Sequence, residues 1–186
     1  MSSPKRLALV VAALALSGCT SGPLYGTTAV DPATGARSSV LTDLRGRIAL
    51  APASTRTAQV FRNAMLYKLN GATPVSAPLY ELRYTAAATD QVSAVEAGTG
   101  TPSAALYRMT VNYELVRTAD VKVLTTGQRF AMVPYDRTNQ LFAASRAVID
   151  ARDQAGEAVA ERILGAIAPV LQREVFTDEP AITAKN

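Results

Sequence analysis

Histidine and tryptophan are absent from the 186 residues, and a single cysteine, Cys19, is present. Without histidine there can be no Ser-His-Asp or Cys-His nucleophilic site, no imidazole zinc ligand and no imidazole general base. One cysteine cannot form an internal disulfide, so stability has to come from a packed core. Basic residues exceed acidic ones by only four, and discounting Lys5 and Arg6 lowers the formal charge from +4 to +2. That balance does not point to a nucleic-acid partner. Gly98-Thr99-Gly100 lacks the Gly-Lys-Ser/Thr continuation of a phosphate loop, and Thr101-Pro102 follows where a helix would have to start, so it reads as a surface loop. Asp150, Asp153, Glu157 and Glu161 recur at helical steps, which raises a cation site. Arg146, Arg152 and Arg162 lie among them, however, and a solvated charged face is the better reading. The expectation is a non-enzyme with no catalytic residues, no metal and no cofactor.

The one cysteine stands behind an apolar segment. Lys5 and Arg6 precede Leu7 to Leu16, which carries no charge. The segment is shorter than the about 20 residues that a membrane-spanning helix needs, and a basic start followed by a short apolar stretch reads as a secretory signal. Leu16-Ser17-Gly18-Cys19 closes it and resembles a bacterial lipobox, in which the thiol is acylated and cleavage makes the cysteine the first residue. The alternative is an ordinary secreted protein with a chance cysteine. Two or more acyl chains anchor stably where one does not. Thr20 stands where an Asp commonly retains lipoproteins in the inner membrane, which implies the outer membrane, on its periplasmic side. Removal of residues 1–18 from the 186 leaves 168, enough for one domain with its own core.

The organisation expected is a signal over 1–18, an acylated start and tether over 19–43, a folded domain over 44–175 and a C-terminal tail over 176–186. Gly22, Pro23, Gly26, Asp31-Pro32 and Gly35 break any periodicity in the tether. Ile48 and Leu50 alternate in a short strand that Pro52 ends. Ala58, Phe61, Met65 and Leu69 recur at three and four residues, with Ser54 or Thr55 as a cap and Gly71 as a stop, predicting a helix over 55–70. Tyr80, Leu82 and Tyr84 alternate in a second strand, and residues 89–103 read as a long loop. Tyr107, Met109, Val111, Tyr113 and Leu115 give a third strand with one buried and one wet face. Arg117 to Asp120 turns the chain into a fourth strand over Val121 to Pro134, with a bulge expected at Gly127. Residues 139–173 carry a helical repeat weakened by Gly156 and Pro169, either one long helix, bent or straight, or two abutting ones. The fold class is α+β: a two-layer sandwich of a four-stranded, mostly antiparallel sheet with two helices on one face, in the order β-α-β-β-β-α.

Pro23-Leu24-Tyr25-Gly26 after the lipobox, the helical run from Gln59 to Leu69 with Arg62-Asn63, the strands at Leu79–Tyr84 and Ala105–Leu115, and the passage from Tyr135 through Thr138 to Phe142-Ala143 together resemble the LPS-assembly lipoprotein family (LptE) of alphaproteobacterial type. Thr20-Ser21-Gly22 departs from the family's more usual Gly-Phe-Arg. The resemblance implies a lipoprotein that binds a large outer-membrane β-barrel, LptD, in a one-to-one complex. It would assist assembly of that barrel and plug its lumen during delivery of lipopolysaccharide. A periplasmic auxiliary lipoprotein of a lipid-trafficking ABC transporter is the alternative, and a generic outer-membrane lipoprotein a third reading.

Candidate contacts follow from the pattern. Arg108, Asn112 and Arg129 are expected on the wet strand face, toward the barrel. Arg117 and Lys122 bracket the turn before the fourth strand and could meet lipid A phosphates of lipopolysaccharide. Acylation at Cys19 has a direct consequence: Cys19→Ala should accumulate as an uncleaved precursor or a soluble periplasmic form and lose palmitate incorporation. Unchanged labelling of the variant would exclude the anchor.

Overall fold

The structure is a computed structural model that describes residues 29–30, 37–38, 40–71, 73–137 and 139–178. Cys19 lies outside them. Contacts divide the chain into a unit before Val40 and one from Val40 onward. In the first, β1 (Ala29–Val30) and β2 (Arg37–Ser38) form an antiparallel ladder. The second contains α1 (Val40–Asp43), β3 (Ile48–Leu50), α2 (Arg56–Asn70), β4 (Tyr80–Val95), β5 (Pro102–Arg117), β6 (Lys122–Asp136) and α3 (Leu141–Asp178). Its sheet has the order β3-β4-β5-β6. β3 runs parallel to β4 across the α2 connection, and the two remaining pairings are antiparallel hairpins. The α+β class and, from β3 onward, the β-α-β-β-β-α order are those the sequence predicts, with α1 as an added helix.

α2 forms where its cap and stripe require. The Thr55 hydroxyl accepts the N–H of Ala58 at 3.1 Å, satisfying one of the first-turn donors. Ala58, Phe61, Met65 and Leu69 are buried, and Gly71, at φ 59°, ends the helix with its N–H on the Tyr67 carbonyl. The buried side of β5 is Tyr107, Met109, Val111, Tyr113 and Leu115. Both helices close over it, and α3 adds Val159, Ile163, Leu164, Ile167 and Leu171 to the same cluster.

α3 is one helix of 38 residues. It continues through Pro169, although proline has no N–H for the carbonyl of Gly165. The buried faces before and after Pro169 belong to a single core, and that packing sustains the helix. Val40 and Leu41, within the expected tether, are buried in the core, so the folded unit starts four residues before 44. α3 also extends three residues beyond 175.

Two further expectations are corrected. The loop expected over 89–103 is instead two paired strands joined at Glu96–Thr101. Thr89 pairs with Arg108 and Gln91 with Leu106, and Gly98 and Gly100 take positive φ in the turn. Residues 87–100 are exposed on both faces, so no apolar alternation marked them. Gly127 is not a bulge. It pairs in register with Tyr113, and the irregularity falls near Leu124, between the Leu115 and Val116 pairs. A Cβ at Gly127 would lie 2.8 Å from the Tyr113 hydroxyl oxygen: glycine there lets the ring lie against the β6 backbone.

Asn70 is the one buried polar side chain among the described residues. Its Oδ1 accepts the Gly46 N–H at 3.0 Å and its Nδ2 donates to the Ile48 carbonyl at 2.9 Å. The end of α2 is thereby fastened to the entry of β3. The helices meet closely at Gly156, where a Cβ would lie 2.7 Å from Val60 Cγ1. Gly156→Ala gains about 1 kcal/mol of helix propensity but overpacks this contact, which costs about 1–3 kcal/mol. The substitution should therefore destabilise the native protein and stabilise a Val60→Ala background. Urea unfolding of the four proteins in the cycle measures that change of sign.

Candidate partner-binding face

The helices cover one side of the sheet and leave the other bare. Register places Arg83 opposite Glu114, Thr85 opposite Asn112, Asn112 opposite Gln128, Thr110 opposite Phe130 and Arg108 opposite Met132. All of these lie on the uncovered side, because the intervening residues of β5 are the buried ones. The side divides into two regions along the strands.

The first region carries hydrogen-bonded polar side chains. Arg83 donates through Nε to Glu81 at 2.9 Å and through Nη1 to Glu114 at 3.3 Å. The hydrogen bond to Glu81 leads the effects that raise its pKa above the ordinary guanidinium value, so it remains charged. The Gln128 amide donates to Asn112 Oδ1 at 2.7 Å. A shallow open basin of about 540 Å³ lies here, lined by Arg83, Thr85, Asn112, Glu114 and Thr126 among others. Its accessible surface is more apolar than polar, and its side chains of both signs are paired with one another, so it is not built for a single anion.

The second region is amphipathic. Phe130 and Met132 are 42% and 41% exposed, and the Arg108 guanidinium stands 4.4 Å over the Phe130 ring centroid. Sequence reasoning missed Phe130 and Met132. Their signal was the alternation Gln128, Phe130, Met132, Pro134, but the side to which it belonged became readable only with the register against β5.

The sequence-derived candidates separate. Arg108 and Asn112 share the uncovered side. Arg129 does not: it pairs with the buried Val111 and so lies on the helix side of edge strand β6, its Nη1 donating to the Gln128 carbonyl. The two-residue alternation of β6 requires this, since Gln128 faces the same way as Asn112. Arg117 and Lys122 are paired across the hairpin, hence at one end of the sheet. The Arg117 guanidinium, however, meets Glu174 of α3 at 2.8 Å and Asp120 at 3.7 Å, so it braces α3 against the sheet.

On α3, Asp150 pairs with Arg146 at 3.7 Å, and Glu161 with Lys68 of α2 at 2.5 Å. No group of three or more metal-ligating side chains occurs among the described residues. Burial is the chief cause of raised phenol pKa values at Tyr84 and Tyr135. Both belong to the helix side of the sheet and offer no reactive group on the bare face. Among the described residues no helix is long and apolar enough to cross a membrane.

The geometry is that of an open, mixed sheet with one clad and one bare side. No family model matches the chain, and no curated protein matches it. Solved structures that share the fold include two bacterial proteins. One is a protein of Caulobacter crescentus described as a lipoprotein, 20% identical, with a TM-score of 0.56 over 72% of this chain and 96% of that one. The other is rare lipoprotein B of Shewanella oneidensis, 16% identical, with a TM-score of 0.50 over 71% of this chain and 97% of that one. The chain thus has a fold found in bacterial proteins named as lipoproteins, and it spans nearly their whole length.

The Arg117–Glu174 pair makes a measurable distinction. Its side chains are 22% and 21% exposed, and a charge-assisted hydrogen bond in such a setting contributes about 1.5–3 kcal/mol. Arg117→Glu should lower unfolding stability by about that amount, whereas Lys122→Glu should change it by less than about 0.5 kcal/mol. Thermal and urea unfolding of the single variants check both values. Loss of lipopolysaccharide binding in Lys122→Glu would then report contact rather than unfolding.

Proposed function

We propose that the protein is an outer-membrane lipoprotein, anchored through acylated Cys19 on the periplasmic side, that binds and plugs the LptD β-barrel. In that role it assists assembly of the barrel and delivery of lipopolysaccharide to the cell surface. The observation that carries this reading is the bare side of the sheet, with a basin rimmed by hydrogen-bonded side chains beside the Arg108–Phe130–Met132 patch. The lumen of a large outer-membrane barrel is polar and can be filled by a separate element. A rigid three-stranded surface with paired charges and one apolar anchor matches such a wall better than it matches lipid. The resemblance to LptE in the lipobox, first helix and paired strands supports the same assignment, as does a fold held in common with two proteins named as lipoproteins.

The test is isolation of the tagged full chain from native envelopes, with photocrosslinking residues at Arg108 and Asn112. A stable one-to-one complex with a large barrel, crosslinked at both positions, is the expected result. Co-isolation of membrane ATPase subunits, with no barrel captured, would replace this reading by the transporter auxiliary.

A further inference from the structure

The sheet has two outer edges, and they are finished differently. On β6 the outward main-chain row is interrupted. Arg162 of α3 donates to the Phe130 carbonyl, which shows that Phe130 turns its main-chain groups away from β5. Pro134 occupies an equivalent position four residues on and has no N–H to offer. Arg129 and Lys122 add charge along the same strand. These are the devices by which proteins keep an edge from pairing.

Between Ala86 and Val92 the β4 edge has none of them; irregularities in its pairing with β5 begin only after Val92. β3 covers it only at Tyr80–Leu82, and the Leu82 carbonyl accepts the Ala51 N–H at 3.1 Å. Main-chain direction alternates along a strand, so Ala86, Ala88, Asp90 and Val92 also turn their N–H and C=O groups outward. Among the described residues these groups meet no partner. The side chains from Ala86 to Ala94 are small or uncharged except Asp90, and no proline or lysine interrupts them.

We propose that in the free protein two copies of this chain pair antiparallel through their β4 edges, about a two-fold axis at Thr89. This goes beyond the plug reading and does not depend on it. The register suits a second copy. Placing Thr89 against Thr89 of the second copy sets Ala88 against Asp90, Ala86 against Val92 and Ala87 against Gln91. Every outward-facing residue then meets another outward-facing residue, as an antiparallel ladder requires, and no like charges stand directly opposite. The product is a continuous sheet six strands wide, β6-β5-β4-β4-β5-β6, with each β3 beside the base of its own β4, and its outer edges are both the guarded β6. Association therefore closes at two copies and does not propagate. About seven residues a side make a small interface, of the class below about 1,200 Å², so the dimer should form and dissociate with concentration.

The experiment uses the chain from residue 19 onward with Cys19→Ser, so that an introduced cysteine is the only thiol. Thr89→Cys sits at a non-hydrogen-bonded pair with a Cα separation of about 4.5 Å, within reach of a disulfide. It should oxidise to a covalent dimer. Ala87→Cys alone should not, and Ala87→Cys combined with Gln91→Cys should. Without introduced thiols, analytical ultracentrifugation should show a monomer–dimer equilibrium. Ala88→Pro removes one outward N–H without touching the β5 ladder, and Thr89→Lys sets two cations together on the axis. Each should shift the equilibrium to monomer by at least tenfold in dissociation constant with the circular dichroism spectrum unchanged. Equal crosslinking at residues 87 and 89, or a strictly monomeric chain at the highest soluble concentration, would overturn the proposal. So would a dimer indifferent to Thr89→Lys.

Discussion

Two helices have to lie side by side on a sheet whose long strands number only three, and Gly156 is where they are allowed to. A helix pair separated by ordinary side chains would spread beyond the sheet and expose part of the buried row of β5. With hydrogen alone at 156, Val60 of α2 sits against the α3 backbone, and both helices stay over Tyr107 to Leu115. The salt bridge from Lys68 to Glu161 lies along the same seam. As a partly exposed pair it contributes modestly; close packing of apolar atoms carries the association. The Asn70 clamp completes the arrangement by fixing the end of α2 to β3, which sets where the sheet begins relative to the helices.

With the helices confined to one side, the other side has to be stable while bare. β4, β5 and β6 accomplish this by crossing the strands with hydrogen bonds: Glu81–Arg83–Glu114 at one level, Asn112–Gln128 at another. Polar side chains committed to one another in this way cost less to bring against a polar partner than unpaired ones, because their charges are already compensated. The Arg108–Phe130 stack performs a similar service for the ring. The bare side is thus stable while it stands exposed.

Legibility in the sequence followed burial. β5 and α2 were readable because one side of each meets the core, so that periods of two and of 3.6 residues stood out. β3 was readable because Pro52 punctuated it. The distal half of β4 was not, since Thr89, Gln91 and Val92 are exposed on both sides and composition there resembles a loop; main-chain pairing with β5, invisible to composition, makes it a strand. The side taken by Arg129 was likewise hidden, because it depends on a register that the irregularity near Leu124 shifts. The alternation on β5 did place Arg108 and Asn112 together on the wet side. The brace between Arg117 and Glu174 joins residues far apart in sequence, and no local pattern could announce it.

The arrangement of ends along the sheet has a mechanical consequence. Val40, the Gly46–Asn70 fastening, the Arg117–Glu174 brace and the last turns of α3 all belong to one end of the long strands, and the Glu96–Thr101 turn stands at the other. From the fastened end the β4–β5 hairpin runs 16 residues on each strand. The connection from β6 into α3 lies at the same end as the Glu96–Thr101 turn, where Asp136 pairs with Ala104 and the Arg137 N–H donates to the Ser103 carbonyl. The Glu96–Thr101 end, exposed on both sides, is therefore the end at which local opening of the sheet costs least.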